Sequence, residues 1–159
     1  MLNSNEILVD MASFSFGSSP QILLARGLGS CVAISFYNQK RKIGALCHAM
    51  LPDSHESTIQ GSPMRFIDKI IAQVLANFEL KQVKPNEIEA KIIGGSNMFP
   101  FLHEEVKIAP AMGERNVAMA KALLKEHGVV VIGQDVGGNY GRSVRFNLDT
   151  GIVTVEKKI

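Results

Sequence analysis

A cysteine that follows a glycine-bracketed turn is the side chain in this sequence best placed to act as a nucleophile. Cys31 ends the segment Gly27–Cys31 (GLGSC), and His48 follows it seventeen residues later. A nearby imidazole would accept the thiol proton, and the resulting ion pair would lower the pKa of the thiol. Backbone N–H groups around Gly29, Ser30 and Cys31 would then stabilise an oxyanion. These residue types predict a nucleophilic thiolate, provided that the fold brings His48 beside Cys31.

The sequence between the cysteine and the histidine predicts a β-hairpin. Residues 31–37 and 43–49 have the composition of short strands, and the polar segment between them is typical of a turn. A turn centred between positions 39 and 40 would place Cys31 directly opposite His48. Opposite side chains of an antiparallel pair lie on one face, so the hairpin predicts a thiol–imidazole contact.

The other face of the predicted hairpin is wholly apolar, as a core face must be. A register shifted by one residue would place His48 among these side chains and bury its polar ring. Cys47 is predicted to be a core residue, because free cysteine is among the most often buried residue types. The predicted core set is Val32, Ile34, Phe36, Ile43, Ala45 and Cys47.

Two other kinds of site are disfavoured by residue spacing. No pair of histidines has the spacing of metal ligands, so no metal is predicted. The other histidines, His55, His103 and His127, are expected at the surface. The segment Gly27–Gly29 lacks the third glycine of a dinucleotide fingerprint, and no glycine is followed by the Lys-Ser/Thr of a P-loop. Nucleotide binding is therefore not expected.

The bulk composition indicates one globular domain over residues 1–159, since 46% of the residues are hydrophobic and 20% are charged. A net charge of +2 without an arginine-rich run gives no indication of nucleic-acid binding. Two cysteines are too few for a disulfide framework, and the N-terminal residues lack the pattern of a signal peptide. No apolar segment approaches the roughly 20 residues that span a bilayer. We therefore expect a cytoplasmic protein that does not insert into membranes.

The remaining segments have strand and helix patterns in an irregular order. Apolar residues at helical spacing predict helices over 64–79 and 114–127, the second ended by Gly128. Strands are predicted over 6–12, 21–25, 88–93 and 129–135, with a last hairpin at 143–148 and 152–157. This order predicts an α+β fold with mostly antiparallel or mixed sheets and helices packed outside. The glycine pairs at 94–95 and 137–138 are expected to serve tight turns unless they converge on Cys31.

Five blocks of the sequence resemble the CheD family, the chemoreceptor glutamine deamidases of bacterial and archaeal chemotaxis. They occur in the family's order and spacing from about residue 6 to about residue 156, which is far more specific than any single motif. The blocks are GLGSCVAI (27–34), HAMLPDS (48–54), KIIGGSNMF (91–99), MGERN (112–116) and DVGGNYGRSVRFNLDTG (135–151).

The resemblance implies a cytoplasmic enzyme that converts particular receptor glutamines to glutamates and releases ammonia. The family's nucleophile and histidine fall on Cys31 and His48, and the thioester chemistry needs no cofactor. The implied fold is similar to the deamidase domain of cytotoxic necrotizing factor toxins. The implied partners are the cytoplasmic helices of chemoreceptors and a CheC-type phosphatase. Asn97 and Asn139 lie next to glycine turns and are candidates either for shaping the site or for ordinary turn positions.

One position departs from the family pattern. The family usually has a threonine six residues before the cysteine as a third catalytic member, whereas this chain has Ala25. If a hydroxyl group orients His48, the protein should be impaired; if a backbone carbonyl does so, activity should survive. The alternative hypothesis is an adaptor with weakened catalysis that docks on receptors or on the phosphatase. A cysteine protease is a third hypothesis, disfavoured because Cys31 begins a strand and not a helix.

Overall fold

The computed structural model describes residues 2–56, 61–98 and 111–159. These residues form nine strands, two α-helices and short 3₁₀ turns at Ser54–Glu56, Pro63–Arg65 and Pro85–Glu87. The strands are β1 (Glu6–Leu8), β2 (Ser13–Ser18), β3 (Ile22–Leu28), β4 (Val32–Asn38), β5 (Ile43–Ala49), β6 (Glu89–Gly94), β7 (Val130–Val136), β8 (Gly141–Asn147) and β9 (Val153–Lys158). The helices are α1 (Ile67–Leu80) and α2 (Met112–Glu126).

The strands form two mixed sheets. One has five strands in the order β2-β5-β4-β6-β7, and the other has four in the order β1-β3-β8-β9. The pairs β6–β7 and β1–β3 are parallel, and all other neighbours are antiparallel. The predicted α+β class with mostly antiparallel or mixed sheets is confirmed. Of the two α-helices in the described residues, neither is long and apolar enough to cross a membrane.

Both faces of the five-stranded sheet are covered, which gives a helix–sheet–sheet arrangement. The face that carries Val32, Ile34 and Phe36 packs against α1 and α2, as the helices' apolar stripes predict. The opposite face, with Ala33 and Leu46, packs against the four-stranded sheet. Every residue of β4 is therefore buried. The predicted core set lies on the helix side as expected, and Cys47 is fully buried there.

The register of the β4–β5 hairpin differs from the predicted one by two residues. His48 pairs with Ala33, not with Cys31, and the ladder ends at the pair Val32–Ala49. Asn38 causes the shift: it stays in the ladder, and its side-chain oxygen accepts a hydrogen bond of 2.9 Å from the N–H of Arg41. A shift of two preserves the alternation of faces, so His48 stays on the inter-sheet side, where Cys31, which directly precedes the ladder, also packs.

The N-terminal strand prediction over 6–12 is wrong in its second half, because β1 ends at Leu8. The chain leaves β1 in one sheet and enters β2 in the other, crossing between the sheets over residues 9–12. The N–H of Val9 donates to Leu24, whereas the N–H of Ala12 donates to the carbonyl of His48. The alternation of Phe14 and Phe16 with serines is the sequence signal for β2. This crossover brings main-chain groups next to His48.

Candidate active site

The turn that precedes Cys31 is held through three consecutive carbonyl groups. The carbonyl of Gly29 accepts the N–H of Ser96 at 2.9 Å, and that of Cys31 accepts the N–H of Gly95 at 2.8 Å. The carbonyl of Ser30 accepts the side-chain amide of Asn116 at 2.8 Å. The main chain at the cysteine is therefore fixed by the segment after β6 and by helix α2, both far away in sequence.

The two glycine pairs converge on this turn. A side chain at Gly94 would collide with the carbonyl oxygen of Cys31, and the φ of 111° at Gly94 also favours glycine. Gly137 donates its N–H to the carbonyl of Gly94 at 3.0 Å, and the N–H of Asn97 donates to Gly138 at 2.8 Å. The pairs are thus part of the structure around Cys31 and not isolated tight turns.

A fully buried arginine ties these glycine segments together. Arg142 is 0% exposed, and its guanidinium donates to Asp135 at 3.0 and 3.2 Å. It also donates to the hydroxyl of Ser96 and to the carbonyl of Gly137, each at 2.8 Å, and it stacks over the ring of Tyr140. The sequence prediction missed this residue. The available signal was a charged side chain on the same strand face as Val144, Phe146 and Leu148.

A buried asparagine was also missed. Asn116 is 0% exposed and lies on the face of α2 that carries Val117 and Ala120. Its amide nitrogen donates to the carbonyls of Ser30 at 2.8 Å and Met50 at 3.0 Å. A polar residue within the apolar stripe of a predicted helix was the signal that could have identified it.

His48 lies between the two sheets and is only 1% exposed. Burial lowers its pKa, and the main-chain carbonyl of Val9 and the carboxylate of Asp10 oppose part of that decrease. Among the described residues, neither ring nitrogen has a hydrogen-bond partner of ordinary geometry. Ala25 is buried in the same inter-sheet layer and contributes only a methyl group to it. The imidazole is thus positioned mainly by packing.

Cys31 is half-buried beside the inter-sheet core. Burial raises the pKa of its thiol, and its own N–H group opposes part of the increase. Together with the lowered pKa of His48, this favours a neutral thiol and a neutral imidazole at neutral pH. The predicted resting ion pair with a lowered thiol pKa is therefore not what the structure favours, because both groups are desolvated. Burial raises the pKa of Cys47 to about 12, as expected for an inert core thiol.

The neutral pair predicts a steep pH dependence for the reactivity of Cys31. Iodoacetamide reacts with thiolate, so the alkylation rate should rise by about tenfold per pH unit from neutral pH to the thiol pKa. Mass spectrometry of the alkylated peptide measures this rate, and the Cys31→Ser variant reports any reaction at Cys47. A rate that stays constant from neutral to alkaline pH would instead indicate a thiolate–imidazolium pair.

The predicted asparagines and the remaining histidines differ in location and exposure. Asn97 is half-buried and joins the Gly138 segment through its N–H, whereas Asn139 is exposed in the turn between β7 and β8. His55 and His127 are exposed, as predicted, and His103 lies outside the described residues.

One group of side chains in the described residues has the composition of a metal site. Ligand atoms of Asp53, His55 and Asp68 lie within 4.8 Å of one another. Hydrogen bonds to the 3₁₀ turn Ser54–Glu56 account for this grouping: Asp53 accepts the N–H of His55 at 2.9 Å, and Asp68 of α1 accepts the hydroxyl of Ser54 at 2.6 Å. The largest cause that lowers the pKa of Asp53 is the first of these bonds.

A family model described as CheD chemotactic sensory transduction matches residues 50–157, beginning two residues after His48. Relatives named probable chemoreceptor glutamine deamidase CheD match nearly the whole chain. That of Clostridium novyi (strain NT) is 36% identical over 154 residues, which cover 97% of this chain and 94% of the relative. Two from Clostridium botulinum, strains Eklund 17B / Type B and Hall / ATCC 3502 / NCTC 13319 / Type A, are 34% and 35% identical over 155 residues. These alignments cover 98% of this chain and 94% of each relative.

The fold is also similar to a solved structure of the Bacillus licheniformis hypothetical protein YfiH. The TM-score is 0.50 at 12% sequence identity, over 77% of this chain and 49% of that chain. The chain therefore spans about half the length of that protein, and the likeness is one of fold alone.

Proposed function

The chain belongs to the CheD family, and we propose that it hydrolyses the side-chain amide of glutamines on chemoreceptors, with Cys31 as nucleophile and His48 as proton carrier. The observation that carries the assignment of these two residues is their location on the inter-sheet side of the five-stranded sheet, with His48 in the β4–β5 ladder and Cys31 directly before it. The relatives that match nearly the whole chain support the choice of substrate.

The proposed reaction proceeds through a thioester. His48 takes the thiol proton of Cys31 as the sulfur attacks the side-chain carbonyl carbon of glutamine, and backbone N–H groups at Gly29, Ser30 and Cys31 stabilise the oxyanion. His48 gives that proton to the leaving nitrogen, so ammonia departs and a thioester remains. Water then attacks while His48 accepts a proton, and its return to sulfur regenerates the thiol and yields glutamate.

The neutral resting pair fits this sequence of steps. A neutral imidazole is the form that accepts the thiol proton, and a protonated thiol is the form that supplies it. In this proposal the transfer happens when the substrate amide displaces water from the half-buried thiol. His48 is held by packing, and the main-chain carbonyl of Val9, which opposes part of the decrease in the pKa of the ring, is the group available to orient it in place of a hydroxyl at position 25.

The second candidate function is an adaptor with weakened catalysis. The observation that favours it is the combination of Ala25 with an imidazole that has no hydrogen-bond partner of ordinary geometry among the described residues. Such an adaptor would dock on chemoreceptor helices or on a CheC-type phosphatase. Both candidates place the protein in the cytoplasm, where these partners' signalling surfaces lie.

Deamidation of a chemoreceptor cytoplasmic fragment separates the two functions. Wild type is expected to convert glutamines to glutamates, which mass spectrometry detects as the mass gained when an amide NH₂ becomes OH. The Ala25→Thr variant adds a hydroxyl to the inter-sheet layer that also contains His48, so its rate should equal or exceed that of wild type. Conversion by Ala25→Thr alone would support the adaptor for the natural chain. Cleavage of the fragment's backbone would support a protease.

A further inference from the structure

The β4–β5 hairpin opens at the end that carries the proposed catalytic pair. Its last ladder pair is Val32–Ala49, so the next residues, Cys31 and Met50, have left the ladder. The N–H of Met50 donates instead to the carbonyl of Arg65 at 2.9 Å. The separation of the two strands beyond this point is therefore set by groups outside the hairpin.

Asn116 closes this open end from the helix side. One amide nitrogen donates to the carbonyl of Ser30, which precedes Cys31, and to the carbonyl of Met50, which lies two residues after His48. The orientation of the amide is determined by its partners, because the reversed amide would point its oxygen at both carbonyls. A single buried group thus sets the distance between the nucleophile strand and the histidine strand.

Helix α2 packs closely against the segment that follows β6. A side chain at Gly113 would collide with the carbonyl oxygens of Gly95 and Ser96, so only glycine lets the helix approach so closely. The amide oxygen of Asn116 is buried and has no hydrogen-bond partner among the described residues. A buried amide that leaves its acceptor unpaired is costly, which argues that its two donor contacts are the reason for its presence.

We propose that Asn116 is a positioning residue, whose amide nitrogen fixes the placement of Cys31 relative to His48 by joining the strand ends that carry them. The proposal rests on the proposed function for its kinetic consequence, but the geometry itself can be tested on the thiol alone. Without the two donors, the carbonyls of Ser30 and Met50 separate or turn to solvent. The thiol then moves relative to the imidazole.

The test compares Asn116→Leu, which keeps the volume but removes both donors, with Asn116→Ser, which leaves room for water to solvate the two carbonyls. The matched control is Leu123→Ala, which removes packing from the same helix away from the strand ends. The turnover number for receptor-fragment deamidation is expected to fall about ten- to a hundredfold in both Asn116 variants, with KM little changed. It should stay at the wild-type value in the control when each protein is assayed below its unfolding temperature.

A second readout does not depend on the receptor. The pH profile of Cys31 alkylation should change in the folded Asn116 variants, because the environment of the thiol changes, and should remain unaltered in Leu123→Ala. A profile that coincides with wild type in both Asn116 variants overturns the proposal, whatever the deamidation assay gives. The proposed function is tested separately. If the profile changes in the Asn116 variants but the wild type does not deamidate receptors, the positioning role is supported and the proposed function is rejected.

Discussion

Replacing Cys31 with alanine is expected to lower the rate of receptor deamidation by at least about a thousandfold, because loss of a nucleophile leaves only substrate positioning. The Cys47→Ala variant is the matched control. Cys47 is fully buried on the helix side of the sheet, and its raised pKa keeps it protonated. That variant should keep the wild-type rate at a modest cost in stability. The measurement is the fraction of receptor fragment converted over time, followed by intact-mass spectrometry.

Replacement of His48 is expected to lower the deamidation rate nearly as much as replacement of Cys31. His48→Gln removes the base that takes the proton of a thiol whose pKa is raised by burial, so deamidation should fall severely at neutral pH. The thiol itself remains, so alkaline iodoacetamide should still alkylate Cys31 in this variant.

Deamidation that persists in Cys31→Ala would assign the nucleophile elsewhere. Deamidation that persists in His48→Gln would remove the histidine from the mechanism.

Loss of Arg142 is expected to produce the largest change in stability. Arg142→Met should lower the free energy of unfolding by about 3 kcal/mol, because it removes a fully buried guanidinium and leaves the partly exposed Asp135 without its cation. It also leaves the hydroxyl of Ser96 and the carbonyl of Gly137 without the guanidinium donor. Arg142→Lys should recover only part of the loss, since an ammonium cannot donate in the fork geometry that this site uses.

A neighbouring arginine provides the control for this prediction. Arg145 lies on the same strand, is half exposed, and pairs with Glu6, whose side chain is largely covered. Arg145→Met should cost no more than about 1 kcal/mol, because an ion pair with a half-exposed guanidinium is screened by solvent and contributes little. Urea unfolding of the three variants measures the difference. Equal, small losses for Arg142→Met and Arg145→Met would mean that the buried network does not hold the glycine segments in place.

The alternation of side chains in the hairpin was predictable, but its register was not. Which side chains share a face depends only on the alternation of apolar residues, and the apolar set that includes Val32, Ile34 and Cys47 determines it. The register depends on one side chain, because Asn38 stays in the ladder and bonds to Arg41. Sequence patterns describe faces well, whereas a turn of two more or two fewer residues leaves the same pattern of faces.

The environment of His48 was not predictable from its own strand. The hairpin pattern gives one apolar face and leaves the other unassigned, and only the presence of a second sheet reveals that this other face is also buried. The raised pKa of Cys31 and the lowered pKa of His48 follow from that second layer. The resemblance to the CheD family implies the same pair but carries no information about its electrostatics.

The contacts of Asn116 and Arg142 also could not be derived from the sequence, but the reason is different. Each is a polar residue at an inward position, which the sequence pattern reveals, but the groups that satisfy it lie far along the chain. Asn116 reaches Ser30 and Met50, 86 and 66 residues away, and Arg142 reaches Ser96, 46 residues away. Periodicity within a segment carries no information about such partners.

The crossing of residues 9–12 between the sheets, together with the pairing of β3 with β8, means that the surroundings of the thiol come from both ends of the chain. During synthesis, Cys31 and His48 emerge long before Asn116 and Arg142 do. Until β8 pairs with β3, the four-stranded sheet that covers the face carrying His48 is incomplete. The complete environment of the thiol therefore requires a chain that extends through Arg142, and no N-terminal fragment that ends before Arg142 contains it.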